Sequence, residues 1–376
     1  MASDLRVLFL NTSTGWGGME MHPLDLAQEL ARRGNLVLFG LRSGSRMAQS
    51  ARGRGLARLA LGFRWYLDSA TLCELRRAVR SFRINVIHVH ASRDAWRAIL
   101  LANLPGNRTA LVFSRHLASP AGSRKDDPLH RFLARRVDAM VAVSGYMRGN
   151  ILDTYPVDPA KVRVIPYGLG AGCRGAPESG AEVRRGLGVP EGSLLVGLLA
   201  QITPDKRQDL LLEAAARVVK EEPRCVFVLA GAPVHPVYER EVRDRVASLG
   251  LAANVRLTGF WKDVPSLMQA LDILVLPSRA EAFGLVLLEA MANAKPVVGS
   301  NSGAIPEVVR QGENGLLFAP GDAGALAGAL LGLLGDPEKR RRMGLQGERL
   351  FHERYSLERE AAGTEALYRE LLERRG

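Results

Sequence analysis

The chain has 376 residues, 47% of them hydrophobic, and only three cysteines, Cys73, Cys173 and Cys225. This length predicts two domains of roughly 170 residues each, and the composition excludes a disordered, fibrous or disulfide-stapled protein. The net charge of +12 is uneven, because residues 1–172 carry 25 Lys and Arg against 12 Asp and Glu. A basic half of this kind is either a solvated face or a surface for an anionic acceptor or bilayer.

The first apolar run, RVLFL, is short and is not preceded by a basic stretch, so it predicts a first strand and not a signal peptide. No window of the sequence has the 18 or more apolar residues of a spanning helix. We therefore expect a cytoplasmic protein, whose membrane contact, if any, is peripheral and at the inner face of the cytoplasmic membrane.

Strand-like apolar runs alternate with helical patterns along the whole chain. In the first half the runs are RVLFL, LVLFG, VIHVH, ALVFS, AMVAVS and VRVIP, and in the second half LLVGLLA, CVFVLAG, VRLTG, ILVLPS and PVVGS. Helical periodicity lies between them, over residues 21–33, 209–221, 237–249 and 285–294. This alternation predicts an α/β fold of two Rossmann-like, doubly wound domains facing a central cleft.

Glycines follow the first strand directly, in the segment GWGGME over residues 15–20. Glycines let the backbone approach a ligand closely, although they also form plain tight turns. The segment nearly matches the dinucleotide fingerprint G-x-G-x-x-G, but Glu20 stands where the last glycine belongs. This mismatch disfavours a nicotinamide dehydrogenase.

Most of the positive charge lies between Arg42 and Arg83, where ten arginines meet only Asp68 and Glu74. Apolar residues are interleaved with them, and both can sit together at a headgroup boundary. We predict an anionic membrane surface as a partner, with a solvated face or an acidic acceptor as alternatives. The interleaved apolar residues are Leu56, Leu59, Leu61, Phe63, Trp65 and Leu67.

Two histidines lie in the run VIHVH, and we expect only one of them to face the ligand side of the sheet. His90 is nearer the end of the strand than His88, so it is the candidate for the acceptor side. His116 follows a later strand, within SRH, and a structural role is the alternative for it.

The apolar periodicity lapses near residues 167–190. A second match to G-x-G-x-x-G falls here, at Gly170, Gly172 and Gly175, but Pro177 and Gly180 follow and no helix is expected to begin there. We predict a first, acceptor-binding domain over residues 1–170, a linker over 171–189 and a second, nucleotide-sugar-binding domain over 190–356.

The first strand of the second half leads into GLLAQITPDK, residues 197–206. Doubly wound sheets bind ligands at the carboxyl ends of their strands, which is where Lys206 is expected. An ammonium there can neutralise a departing phosphate, whereas a surface lysine at a helix start is the alternative.

The most specific segment is PSRAEAFGLVLLEAMA, residues 277–292. Glu281 follows a buried strand, and Phe283-Gly284-Leu285 opens a helix whose free N–H groups suit a diphosphate. Glu289, about two turns further on, can accept hydrogen bonds from polyol hydroxyls.

Residues 281–292 resemble the E-x-F-G-L-x-x-x-E-A-M-A segment, with its E-x7-E motif, of the retaining glycosyltransferases of family four, which have the GT-B fold. The turn NGLL at residues 314–317 and Tyr355-Ser356 are similar to later segments of that family. The resemblance covers almost the whole chain. It implies that the final helix, over residues 357–375, crosses back onto the first domain.

The resemblance also implies roles for single residues. Glu281 would hold the transferred sugar, Glu289 the ribose, and Lys206 the leaving phosphate. His116 is similar to the family's histidine that faces the donor sugar. Further donor contacts are expected from Gly17, Gly18, Gln201, Arg207, Gly259, Phe260, Phe283, Gly284 and Leu285.

The chain departs from the family pattern at two phosphate positions. Gln201 stands where the family often has an arginine, and Arg207 replaces the glycine of the usual K-G pair. One of two phosphate cations is therefore missing, and Arg207 or an arginine of the first domain is the expected substitute.

The resemblance implies a retaining hexosyltransferase that moves a sugar from a nucleoside diphosphate to a lipid-linked or envelope-glycan acceptor.

No D-x-D motif appears, since Asp126 and Asp127 are adjacent, so no metal is expected. A sugar-nucleotide epimerase or a sucrose-synthase-like enzyme would use the same donor pocket. A nucleic-acid-binding protein is disfavoured, because few aromatics are interleaved with the arginines of the basic tract beyond Phe63, Trp65 and Tyr66.

Overall fold

The structure, a computed structural model, describes residues 5–15, 17–62, 68–102, 109–120 and 122–375. Trp16 and the aromatic segment 63–67, which were part of the predicted glycine loop and basic tract, lie outside these ranges. The chain forms two compact units. Unit 1 comprises Met1–Gly168 and Leu357–Gly376, and unit 2 comprises Leu169–Ser356.

Unit 1 contains a parallel sheet with helices between its strands. The strands are β1 (Arg6–Asn11), β2 (Leu36–Arg42), β3 (Arg58–Leu61), β4 (Val86–Val89), β5 (Ala110–Arg115), β6 (Ala139–Ala142) and β7 (Val162–Val164). The helices before residue 168 are α1 (Gly18–Arg32), α2 (Arg46–Gly53), α3 (Ser69–Ser81), α4 (Ala95–Ala102), α5 (Pro128–Arg136) and α6 (Gly145–Thr154).

Unit 2 repeats this alternation. Its strands are β8 (Leu195–Leu199), β9 (Val226–Ala230), β10 (Val255–Gly259), β11 (Ile273–Leu276), β12 (Val297–Ser300) and β13 (Gly315–Phe318). Its helices are α7 (Pro177–Gly186), α8 (Gln208–Glu221), α9 (Pro236–Ser248), α10 (Val264–Ala270), α11 (Leu285–Ala292), α12 (Ile305–Val308), α13 (Ala323–Leu334) and α14 (Pro337–Arg354). The last helix of the chain, α15 (Leu357–Glu373), belongs to unit 1.

Both sheets are doubly wound. The strand order is β3-β2-β1-β4-β5-β6-β7 in unit 1 and β10-β9-β8-β11-β12-β13 in unit 2, and every pairing is parallel. The direction of winding reverses between β1 and β4 in one sheet and between β8 and β11 in the other. Ligands of such sheets bind at the carboxyl ends of the strands that flank the reversal. The prediction of two doubly wound α/β domains is confirmed.

Helix α15 is fixed to unit 1 by polar contacts at several points. The Arg33 guanidinium donates two 3.0 Å hydrogen bonds to the Glu365 carboxylate, and Arg375 forms a 2.6 Å ion pair with Asp138. A bidentate arginine–carboxylate pair fixes orientation as well as position. The final helix therefore lies on unit 1, along a path that begins at the end of unit 2.

The segment 171–189, predicted as a linker without a helix, contains α7 and is part of unit 2. A Cβ at Gly180 would lie 2.8 Å from the backbone carbon of Gln269, so a glycine here allows α7 to pack closely on α10. The Asn293 side chain accepts a 3.0 Å hydrogen bond from the Gly175 N–H and fastens the segment to the end of α11. The prediction that no helix begins in this segment is therefore wrong.

Candidate functional site

The winding reversal of unit 2 brings two distant loops together. One loop follows β8 and contains the 3-10 turn Pro204–Lys206, and the other follows β11 and contains Glu281. The Arg279 N–H donates a 2.9 Å hydrogen bond to the Asp205 carbonyl oxygen, which ties the loops to each other. The ends of β8 and β11 therefore form one surface, at the place where this sheet type binds ligands.

Lys206 and Glu281 meet on that surface. The Lys206 Nζ lies 2.5 Å from the Glu281 Oε1, and the Ser278 hydroxyl donates a 2.7 Å hydrogen bond to the same oxygen. Glu281 is only 9% exposed, so its charge depends on these two partners. The two residues that the sequence motifs singled out are thus in contact, whereas Ser278 was not predicted although it stands three residues before Glu281.

The loop of Gly303 holds the backbone of Glu281 from the other side. The Ala304 N–H donates a 2.9 Å hydrogen bond to the Glu281 carbonyl oxygen. A Cβ on Gly303 would lie 2.6 Å from the Glu281 backbone, and Gly303 has a φ of 58°. Only glycine fits both conditions easily. The segment GAIPE, residues 303–307, therefore holds the backbone of Glu281 in place.

Helix α11 begins at Leu285, directly after Gly284, as the sequence predicts. Gly284 has a φ of 87° and provides no side-chain cap, so the N–H groups at the start of the helix receive no capping hydrogen bond from a side chain. Phe283 is buried with its ring edge-on to Tyr355, at a centroid distance of 6.0 Å. The buried ring fixes the loop, and the helix start offers N–H donors for an anion.

Glu289 lies on α11 and is half-buried. Burial raises the pKa of its carboxyl group to about 7. No described residue forms a hydrogen bond or ion pair with this carboxylate. A carboxylate without a partner, which is costly to ionise, is a natural acceptor for ligand hydroxyls.

Arg207 is paired within its own turn. It has a φ of 54°, in the left-handed region, and its guanidinium forms a 3.1 Å ion pair with Asp209. Its role as the substitute phosphate cation stays a prediction. Gln201 has an exposed side chain, and its carbonyl oxygen accepts a 2.9 Å hydrogen bond from Gln208. Gly259 ends β10, and Phe260 after it is 65% exposed, so their roles in the donor site stay predictions.

The glycine loop of unit 1 is closed by Glu20. The Ser13 hydroxyl donates a 2.8 Å hydrogen bond to the Glu20 Oε1, and Glu20 is 5% exposed. Gly17 precedes α1, which begins at Gly18 without a side-chain cap. The loop thus follows β1 at the winding reversal of this sheet. The proposed contact of Gly17 and Gly18 with a donor stays a prediction.

His88 and His90 share one face of their strand, with ring centroids 4.2 Å apart. Residues two apart in a strand point to the same face. Of the two, His90 lines the cavity at the ends of β1, β4 and β5 and His88 does not, and the acceptor-side role of His90 stays a prediction. His90 Nδ1 lies 3.1 Å from His116 Nε2, and His116 Nδ1 is hydrogen-bonded to the Tyr167 hydroxyl. The predicted acceptor-side and sugar-facing histidines are therefore neighbours.

Burial lowers the pKa of His88 and of His116 to about 3, so both rings are neutral at physiological pH. His88 is held on both sides, by the Tyr368 hydroxyl at 2.5 Å and the Ser114 hydroxyl at 2.7 Å. These rings can donate or accept hydrogen bonds, but they cannot form an ion pair with a ligand.

Both units are doubly wound, and unit 2 has a lysine and a carboxylate at its winding reversal. These features define a two-domain α/β enzyme of the class that binds phosphorylated ligands. Residues 16–169 match the family model described as Glycosyltransferase Family 4, and residues 180–350 match Glycosyl transferases group 1. The chain belongs to the family 4 glycosyltransferases and has the GT-B fold.

Three similar proteins illustrate the range of this family. The chain is 30% identical over 379 residues to D-inositol 3-phosphate glycosyltransferase of Kineococcus radiotolerans, which covers 89% of this chain and 86% of the relative. It is 29% identical to the lipopolysaccharide core biosynthesis mannosyltransferase LpsB of Rhizobium meliloti, over 76% of this chain and 80% of that protein. Anabaena HepE, solved in complex with UDP and glucose, aligns with a TM-score of 0.85 over 96% of this chain and 100% of its own, at 23% identity.

Proposed function

We propose that the enzyme transfers a sugar from a nucleoside-diphosphate sugar to an acceptor hydroxyl with retention of anomeric configuration, in the synthesis of an envelope polysaccharide, lipopolysaccharide or glycolipid. The contact between Lys206 and Glu281 at the ends of β8 and β11 carries this proposal. It joins a cation for a departing phosphate to a carboxylate for sugar hydroxyls. The GT-B fold and the family support the donor class.

In this mechanism the acceptor oxygen forms a bond to the anomeric carbon while the bond from that carbon to the β-phosphate oxygen breaks. The acceptor proton passes to the departing phosphate oxygen on the same face of the sugar. Lys206 and the first N–H groups of α11 stabilise the charge that develops on the diphosphate. Glu281 and Glu289 position the sugar and the ribose, so the chain contributes orientation and no covalent carboxylate.

Similar proteins support the donor and the pathway. HepE was solved with UDP and glucose, and LpsB is named for lipopolysaccharide core synthesis. The test of the proposal is a donor screen, in which UDP-, GDP- and ADP-sugars are incubated with the full chain and both sugar release and thermal shift are measured. One donor class should be hydrolysed slowly with retention. An absence of binding and hydrolysis with every donor would contradict the proposal.

Chelation is expected to leave activity largely intact. The described residues contain no cluster of three or more His, Cys, Asp or Glu side chains that could hold a metal ion. Lys206 and backbone N–H groups would then carry the phosphate charge. The measurement is the rate of donor hydrolysis with and without EDTA. Loss of activity that magnesium or manganese restores would contradict the metal-independent mechanism.

Donor affinity is expected to fall about tenfold between pH 8 and pH 6. The pKa of Glu289 is raised to about 7 by burial, so the carboxylate that would accept ribose hydrogen bonds is protonated below this pH. The probe is an intact nucleotide-sugar, whose diphosphate is a diester with no ionisation near neutrality. Calorimetric titration of Glu289→Gln should give weak, pH-independent binding. An unchanged pH dependence in this variant would remove Glu289 from the ribose site.

We further propose that the basic tract of unit 1 docks on an anionic membrane, where a lipid-linked acceptor is found. Of its arginines, Arg42, Arg46, Arg52, Arg58, Arg76, Arg77, Arg80 and Arg83 are exposed. Arg54 is half-buried and paired with Asp25. The predicted apolar contribution is corrected, because Leu56 and Leu61 are buried in the core of unit 1. Phe63, Trp65 and Leu67 lie outside the described residues. Docking by the described residues would therefore be mainly electrostatic, with the half-buried Leu59 and the exposed Phe82 as the remaining apolar groups.

Vesicle binding is expected to require anionic lipid, to weaken with salt, and to fall at least tenfold when Arg46, Arg52 and Arg58 are replaced by glutamate. Each cation near an anionic surface is worth about 1 kcal/mol, so three reversals have a large effect. Co-sedimentation with phosphatidylglycerol vesicles measures it. The control replaces three exposed arginines of unit 2, at positions 185, 240 and 342, by glutamate. Equal losses in both triple variants would assign the effect to net charge alone.

None of the helices in the described ranges is long and apolar enough to cross a bilayer.

A further inference from the structure

Unit 1 contains a cavity at its own winding reversal. The cavity has a volume of about 220 Å³ and lies where β1, β4 and β5 end. A water molecule occupies roughly 30 Å³, so the cavity can take an anionic group of four or five heavy atoms together with part of a sugar ring. Its lining includes Ser13, His90, Arg93, Arg115 and His116.

The lining is positively charged and contains no carboxylate among the described residues. Arg115 donates hydrogen bonds to the Ser92 hydroxyl at 2.6 Å and to the Leu117 carbonyl oxygen at 3.2 Å, and its guanidinium lies 5.4 Å from the Tyr155 ring centroid. These partners, and the Ser119 hydroxyl that accepts a 3.4 Å hydrogen bond from Arg115, are uncharged, so they orient the guanidinium without balancing its charge. Arg93 is exposed and has no ion pair with any described residue.

The acids nearest to this lining are engaged elsewhere. Asp94 is fully buried, accepts hydrogen bonds from the N–H and hydroxyl of Thr12, and forms a 2.7 Å ion pair with Arg97. Glu20 is buried and accepts a hydrogen bond from the hydroxyl of Ser13, a residue of the lining. Two guanidinium groups therefore face a small cavity without a counterion, which is the arrangement that binds carboxylate or phosphate.

The histidines of the wall add hydrogen-bonding groups. Both rings are buried, and His90 Nε2 has no hydrogen-bond partner among the described residues. Because burial keeps His116 neutral, the charge of the cavity comes from the arginines alone.

We propose that this cavity is an anion subsite of the acceptor, in which Arg93 and Arg115 hold a phosphate or carboxylate group that the acceptor carries. The assignment to the acceptor rests on the proposed function, since His90, the predicted acceptor-side residue, lines the same cavity. The binding of an anion in the cavity does not rest on the proposed function. A donor diphosphate would bind at Lys206 in unit 2, so the two phosphate sites are separable by mutation.

The experiment measures calorimetric binding of glucose 6-phosphate, inorganic phosphate, acetate and glucose to the full chain carrying Lys206→Ala, which disables the donor-phosphate site. Glucose 6-phosphate, which is not a fragment of a nucleotide-sugar donor, should bind and glucose should not at the same concentration. Arg115→Gln and Arg93→Gln should each weaken binding at least tenfold. Arg77→Gln, which removes an exposed arginine of the same unit, is the control and should leave binding unchanged.

The outcomes distinguish an acceptor group from free phosphate as the ligand of the cavity. They also distinguish a failure of the anion subsite from a failure of the proposed function. Tighter binding of the sugar phosphate than of inorganic phosphate assigns the site to an acceptor group, and equal binding of the two would overturn that assignment. Binding that survives both Arg93→Gln and Arg115→Gln would overturn the subsite itself. Arg93→Gln keeps the test valid if Arg115→Gln unfolds, because the Arg93 side chain is exposed and forms no ion pair with any described residue. Failure of the donor screen with intact anion binding would instead contradict only the proposed function.

Discussion

Replacing Lys206 by alanine is expected to lower turnover by about 100-fold or more, with a smaller effect on donor affinity. The leaving diphosphate gains charge as the glycosidic bond breaks, and a fixed cation interacts more strongly with that state than with the intact donor. Lys206 follows β8 at the winding reversal and is held there by Glu281, so its position does not depend on the donor. Steady-state kinetics of the variant with the identified donor give the measurement.

The Lys206–Glu281 contact complicates a single substitution, because the alanine variant leaves a buried carboxylate without its cation. A double-mutant cycle of Lys206→Ala and Glu281→Gln separates the two roles. If Lys206 acts on the phosphate, its removal should still cost at least tenfold in the Glu281→Gln background. Equal turnover of Glu281→Gln and the double variant would mean that Lys206 acts only through Glu281. Lys220→Ala, at an exposed site on α8, is the matched control.

Glu281→Ala alone is expected to reduce turnover more than donor affinity, because Glu281 would touch the reacting sugar. The contact of Ser278 with the same carboxylate oxygen supplies a milder variant. Ser278→Ala should reproduce part of the loss without changing the charge of the site.

The sequence predicts the fold well, because parallel strands buried on both faces leave continuous apolar runs. The runs of β1 and β11 illustrate this, since nearly all their residues are buried. Strands β3 and β13 were missed. β3 is a short edge strand inside the basic tract, and β13 follows Asn314 and looked like a turn. Asn314 is in fact fully buried and hydrogen-bonded to Val308 and Arg310, contacts that depend on the folded chain.

Helix α7 had local signals that were overlooked. Pro177 occupies the first turn, Glu178 follows it, and Arg184 and Arg185 lie in the last turn. Gly180 was interpreted as a helix breaker, but in the structure it allows close packing on α10.

By contrast, the sequence cannot predict the contact of Lys206 with Glu281, because the two are 75 residues apart and meet only through the crossovers of the sheet.

Acidification is expected to destabilise unit 1 strongly between pH 7.5 and 5.5. His88 and His116 have pKa values of about 3 in the folded state because of burial, against about 6.5 in the unfolded chain. The unfolded state therefore binds more protons below pH 6.5, so stability falls as pH falls. At pH 5.5 each histidine should cost about 1.4 kcal/mol, and the two together about 3 kcal/mol. Burial also lowers the pKa of His90, which acts in the same direction.

Other titratable groups near these histidines change the stability of unit 1 with pH in the opposite direction or not at all. Burial lowers the pKa of His22, but the Glu360 carboxylate at 2.9 Å outweighs it, and the net pKa is raised. The stabilisation by His22 is thus complete below pH 6.5 and is lost as pH rises through its folded pKa, which offsets part of the effect. Tyr167 and Tyr368 have pKa values raised by burial and stay neutral throughout. In unit 2, Glu289 has a raised pKa, so acidification favours that unit instead.

Because the two units respond oppositely, the measurement must report on unit 1 alone. Hydrogen-exchange protection of the amides in β1, β4 and β5, corrected for intrinsic exchange, should fall about 100-fold from pH 7.5 to 5.5. His88→Gln should remove about tenfold of this pH dependence, whereas His235→Gln, at an exposed site in unit 2, should leave it unchanged. Protection in unit 1 that is constant over this pH range would show that the buried histidines are matched by equally perturbed groups in the unfolded chain.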